Sequence, residues 1–178
     1  MVFVEKSLQK MLKEIELTSI TRKDTLIPAE NPSTYKFYKG KLDGIKEEYA
    51  HDLLEKIIPG YDRSAWHDGF DESDMYLYTA SILLALENAF FRGNKGKVNL
   101  PVSLKVYSGY KGHVISITDS GDGFDYKTKI EKMRFGDKGY AEGAGEGLRI
   151  LEKVKFEVSY GKKGRRVNIM MKKSQFKR

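Results

Sequence analysis

Residues 75–94, MYLYTASILLALENAFFRGN, constrain this chain more than any other stretch. They are apolar nearly all round at helical period, so a helix here must be buried on more than one side. Ser73 and Asp74 are suited to cap its start, and Gly93 closes it. A helix wrapped in this way needs a layer to lie on. Two β-rich runs follow at once, VSLKVY (102–107) and HVISIT (113–118), and the connector SGYKG makes them a hairpin. The chain ends on a second strand–turn–strand pattern, KFEVSY, GKKG, RVNIMMK. Ahead of the apolar helix lie two amphipathic patterns. Residues 4–17 carry Val4, Leu8, Met11, Leu12 and Ile15 at helical spacing, and 42–58 carry Ile45, Tyr49, Leu53 and Ile57, stopped by Pro59 and Gly60. The polar TLIPAENPSTY between them reads as a loop or linker, with a short strand at 35–38. The order predicts an α+β fold: a two-layer α/β sandwich with a mixed, largely antiparallel sheet and helices on one face. The division expected is an N-terminal helix and linker over 1–34 and the main domain over 35–178. The first helix would cap the sheet or form a homodimer contact.

At 178 residues the chain is long enough for one domain with a real core. It contains no cysteine, which excludes disulfides and thiolate metal sites. No apolar run approaches the roughly 18 residues that span a bilayer, and MVFVEKSLQK lacks a signal-peptide layout. A cytoplasmic location is therefore expected. The net charge of +7 is concentrated: residues 161–178 hold eight Lys or Arg and no acid, so +7 less 8 leaves −1 for the rest. A nucleic-acid-binding module would rest on this basic tail alone; the tail reads instead as a solvated hairpin and frayed end.

Three stretches carry chemistry. Between Ser81 and Arg92 the only polar side chains are Glu87 and Asn88, and burying either unpaired costs several kcal/mol. Solvent and backbone could satisfy them, or a ligand could. Next, ITDSGDGFD places Asp119 at the end of an apolar strand, followed by Gly121 and Gly123. A carboxylate there can accept a hydrogen bond from an exocyclic amine, and glycines let a flat base approach the backbone. The register and the distal Glu of an EF-hand are missing, and a plain hairpin turn does not need three aspartates. Last, GAGEGL (143–148) offers exposed N–H groups at a helix start, a phosphate cradle that is neither a Walker A nor a Rossmann motif.

Taken in order, ENAFFRGN, ITDSGDGFD and GAGEGLRILEKV resemble the GHKL-type ATP-binding domain shared by gyrase, heat-shock chaperones, histidine kinases and the MutL repair protein. Within it the chain is most similar to the small anti-sigma-factor serine kinases and their stand-alone relatives. The resemblance covers about residues 42–173 and implies a Bergerat-type fold. It implies that Asn88 holds Mg²⁺ against the phosphates and that Asp119 takes the adenine amine, with Gly121 and Gly123 beside the base. It implies that Gly143, Gly145, Gly147 and Leu148 wrap the phosphates of ATP or ADP, under a lid that carries Lys129, Lys132, Arg134 and Lys138. Any of these four could reach the γ-phosphate or be an ordinary surface residue.

The pattern breaks at Leu84. Family members that turn ATP over commonly place a Glu there, four residues before the Asn and about 40° round the helix from it. Glu87 adjoins Asn88, about 100° away, and could act as base only if the ligand sat differently. Arg92 stands where His is usual. His51, in YAHDLLEKI, lies too close to Asn88 to be a histidine-kinase phosphoacceptor. The expected function is a nucleotide-dependent protein-binding switch or a serine protein kinase acting on a regulatory partner. The alternative is a degenerate scaffold that binds no nucleotide.

Overall fold

The computed structural model describes residues 2–3, 5–26, 81–134 and 156–173. They build a six-stranded sheet: β1 (Val2–Phe3), β2 (Leu17–Leu26), β3 (Val102–Gly109), β4 (Gly112–Thr118), β5 (Glu157–Gly161) and β6 (Arg166–Lys172). The order is β1-β5-β6-β4-β3-β2; β1 runs parallel to β5, and the other four pairings are antiparallel. The expected α+β class, with a mixed and largely antiparallel sheet, is present. Among the described residues α1 (Leu8–Glu14), α2 (81–93) and α3 (Tyr126–Arg134) accompany it. No helix among the described residues is long and apolar enough to cross a membrane.

Strand register separates the two faces. Ile117 pairs with Val167, and Val167 with Tyr160, so these three share the face on which α2 lies. Val114 is opposite Tyr107 and Met170, and these point to the other face. There α1 inserts Met11 and Ile15, both fully buried, against Tyr107, Val114 and Met170. Burying two such side chains contributes about 3–6 kcal/mol before entropy is counted. Sequence reasoning expected helices on one face only. The sheet is covered on both, because its second face carries apolar residues that one short helix suffices to hide.

That second face also holds polar groups. Ser116 donates to Asn168 at 2.8 Å, and the Asn168 amide donates to Ser159 at 3.1 Å. Lys6, Glu14, Glu157 and Lys172 form an alternating charge square: Lys6–Glu14 at 2.9 Å, Lys172–Glu14 at 2.6 Å and Lys172–Glu157 at 2.8 Å, closed by Lys6–Glu157. Each charge there meets two of opposite sign, which offsets its partial burial.

Residues 2–26 supply α1 and, among the described residues, both edge strands of the sheet. The ten residues of β2, LTSITRKDTL, contain the β-branched run Thr18, Ile20, Thr21 and Thr25 that signals a strand. The C-terminal strand–turn–strand expected from KFEVSY, GKKG and RVNIMMK is present as β5 and β6; β6 lies between β5 and β4, so Ile169, Met170 and Met171 are buried rather than solvated.

Candidate functional site

The site lies at the sheet end where β4 finishes at Thr118 opposite Arg166 and Ser103. Three segments meet there: the end of α2, the loop 119–125 and the β5–β6 turn 161–165.

Helix α2 changes pitch on arrival. Residues 88–93 form a π-helix, and the Asn94 N–H donates to Ala89 O, five residues back, at 2.9 Å. Such wide turns are rare and concentrate at functional sites. Ala85, Asn88, Ala89 and Arg92 form one stripe that faces a cavity. Ser81, Ala85, Ala89 and Gly93 place a small residue at every fourth position, which keeps this surface low. That pattern was readable in the sequence and marks the close approach.

Gly93 touches the loop directly. A Cβ on it would stand 2.4 Å from Asp119 Cγ, and a Cβ on Gly121 would stand 1.8 Å from Gly93 O. Asn94, 1% exposed, then fastens the loop. Its Oδ1 accepts from Ser120 N–H at 2.8 Å and its Nδ2 donates to Leu100 O at 3.0 Å. Ser120 donates its own hydroxyl to Pro101 O at 2.8 Å. Sequence reasoning assigned no role to Asn94, although it stands in ENAFFRGN.

From the other side the β5–β6 turn grips the loop by backbone. Asp119 N–H donates to Arg165 O at 3.0 Å, and Phe124 N–H donates to Lys163 O at 3.1 Å. Gly123 has φ +82, and a Cβ there would lie 2.2 Å from Lys163 O, so both conformation and space require glycine. Gly121 and Gly123 thus serve chain crossing. Gly123 borders the cavity, whereas Gly121 packs on Gly93.

The three aspartates of ITDSGDGFD do three different jobs. Asp125 accepts from Thr128 N–H at 3.2 Å and Thr128 Oγ1 at 2.7 Å, capping α3. Asp122 pairs in solvent with Lys95 at 2.8 Å. Asp119 faces the cavity. Its Oδ1 accepts from Gly121 N–H at 2.8 Å. Burial pushes the Asp119 carboxyl above its usual range, opposed by the N–H groups of Gly121 and Asp119 and by the charge of Arg165. A half-buried carboxylate in this condition gains from any further donor.

The cavity has a volume of about 220 Å³. Pockets that enclose a whole drug-sized ligand run to roughly 300–1,000 Å³, so this space accommodates part of a ligand. Ile117 and Val167 form its sheet-side wall, and Phe124 and Tyr160 add aromatic surface. These two rings meet edge to face at 5.4 Å, and Tyr126 stacks on Tyr160 at 5.2 Å. Lys129 lies over Phe124 at 5.1 Å and also borders the cavity. Among the described lining residues, Arg92, Lys129 and Arg165 face the single carboxylate of Asp119, a balance that suits an anion.

The structure therefore brings Asn88, Asp119, Gly123 and Lys129 together. Glu87 is not on the cavity stripe; burial raises its carboxyl pKa and the Arg92 charge opposes that rise. Leu84 is buried in the core. Lys132 is exposed on α3. Gly143, Gly145, Gly147, Leu148, Lys138 and His51 lie outside the described residues, as do the helix expected over 42–58 and the strand over 35–38. Set against known proteins, the chain matches no family model, no curated protein and no solved structure.

Proposed function

We propose that this chain is an ATP- or ADP-binding regulatory domain of the histidine-kinase-like ATPase class that acts as a nucleotide-dependent switch on a protein partner. The observation that carries the reading is the common cavity of Asn88 on α2 with Asp119 and Gly123 of the loop, two motifs separated in the sequence. Asp119 keeps one oxygen on Gly121 N–H and has the other for the adenine amine. Phe124 and Tyr160 supply apolar ring surface beside it. The cavity is the size of the base end only, so the phosphates would extend past Asn88 and Lys129. The Asn88 amide oxygen suits Mg²⁺, which takes few protein ligands and keeps its waters. Bound there, the ion would neutralise phosphate charge. Lys129 would pair with phosphate as a point charge.

A switch is preferred to an enzyme for a local reason. Among the described lining residues Asp119 is the only carboxylate, and it is committed to the base. Leu84 contributes no general base. Nucleotide contacts to α3 would bias the surface offered to a partner, as differential binding requires.

Calorimetry with Mg-ATP and Mg-ADP tests the reading, on wild type and Asp119→Asn. The variant retains an acceptor for Gly121 N–H but turns a second donor toward the amine. Loss of a charge-assisted bond predicts roughly 10- to 100-fold weaker binding. The same change should raise stability at neutral pH. A carboxyl with a raised folded pKa costs stability as pH rises through the window above 3.8, and the amide carries no such cost. An absence of heat at submillimolar ligand from the wild type would sink the nucleotide reading.

A further inference from the structure

We infer that Arg165 is a second base-reading residue, donating to the adenine ring nitrogen beside the amine that Asp119 accepts; this rests on the nucleotide reading above. Arg165 is tied to Asp119 by backbone, because its carbonyl accepts the Asp119 N–H at 3.0 Å. Its side chain crosses Gly123: a Cβ on that glycine would stand 3.1 Å from Arg165 Cγ. Any larger residue at 123 would displace it. The stem therefore packs against the loop glycine, and Arg165, an exposed residue, shares the cavity lining with Asp119. Among the described residues no hydrogen bond or ion pair is made by its guanidinium. Its charge acts on both Asp119 and Asp122 without contact.

The two groups are chemically opposite. A carboxylate only accepts and a guanidinium only donates. Adenine offers the matching pair along one edge, an amine donor next to a ring-nitrogen acceptor. One-point recognition by Asp119 fixes the amine alone. A second point fixes the rotation of the base in its plane, and so the direction in which ribose and phosphates leave the cavity. No other donor side chain among the described lining residues is tied to the Asp119 backbone in this way.

The rival role for Arg165 is phosphate attraction, and adenosine separates the two. Full-length wild type, Arg165→Ala and Arg165→Gln are titrated by calorimetry with adenosine, ATP, 1-deaza-ATP and 7-deaza-ATP. Arg165→Gln keeps much of the stem over Gly123, and circular dichroism checks that each variant is folded. Base reading predicts that Arg165→Ala weakens adenosine and ATP by the same factor, about 10-fold or more for a bond from a charged donor. It also predicts that one of the two deaza analogues binds wild type about 10-fold more weakly than ATP, a difference that vanishes in Arg165→Ala. A loss confined to ATP, or no loss at all, overturns the inference while the nucleotide reading stands. Wild type that binds none of the four overturns both.

Discussion

Truncating Asn94 should detach the loop that carries Asp119. Asn94→Ala removes an acceptor 2.8 Å from Ser120 N–H and a donor 3.0 Å from Leu100 O, at a residue 1% exposed. Pro101 O, 3.4 Å from the same Nδ2, keeps the Ser120 hydroxyl at 2.8 Å and is not orphaned. Two backbone groups are therefore left unpaired. Each costs about 1–3 kcal/mol when buried. Ser120 is exposed, so water can reach its N–H and the lower end applies there. The sum is a loss of about 2–4 kcal/mol, a large share of the ~5–15 kcal/mol typical of a domain. For a chain of 178 residues that is a fall in Tm of roughly 4–16 °C. Urea unfolding followed by circular dichroism, with thermal melts, reads both quantities. Asn94→Asp serves as the sharper control. It retains the oxygen for Ser120 N–H but turns a buried carboxylate toward the Leu100 carbonyl, so it should lose at least as much as Asn94→Ala. A loss below about 0.5 kcal/mol for Asn94→Ala, within the range of ordinary surface changes, would show that the loop holds itself, and the argument for Asn94 as its fastening would fall.

Two other outcomes follow from the same geometry. Gly93→Ala places a Cβ 2.4 Å from Asp119 Cγ, and that carboxylate is pinned by Gly121 N–H, so relief requires breaking the bond or shifting α2. The variant should cost about 1–3 kcal/mol of stability and weaken ATP by about 10-fold in calorimetry, and wild-type binding would contradict the close packing. His113 has its pKa pushed down to about 4, first by burial and then by the charge of Lys173. Its folded value lies below the unfolded 6.5, so the stability that neutral His113 contributes is present above pH 6.5 and lost as pH falls toward 4. Urea midpoints should drop by the equivalent of ~2–3 kcal/mol across that window, and His113→Gln should flatten the slope.

The sequence by itself determined the parts that depend on local period and on short motifs. The all-round apolar pattern of 81–90 required a buried helix, and alternation in VSLKVY and HVISIT with a glycine-bearing connector required a hairpin. Asp119 stood out as the strand-end carboxylate of ITDSGDGFD, and the fold sets it at the cavity while its bond to Gly121 N–H shapes the turn. What the tertiary structure decided is what depends on chain segments distant in sequence. Strand LTSITRKDTL carries β-branched residues, but its place at the sheet edge came from pairing with β3 far later in the chain, Leu26 opposite Val102 and Leu17 opposite Gly109. Helix α1 went to the opposite face because Tyr107, Val114 and Met170 left it apolar surface to cover. Gly93 looked like a helix stop and Gly121 like a glycine set beside the base. In the fold they are a crossing of two backbones, visible only once α2 and the loop are in contact. Asn94 and Arg165 owe their places to the same contact. Each is an unremarkable polar residue in the sequence until the fold sets it against the loop that holds Asp119.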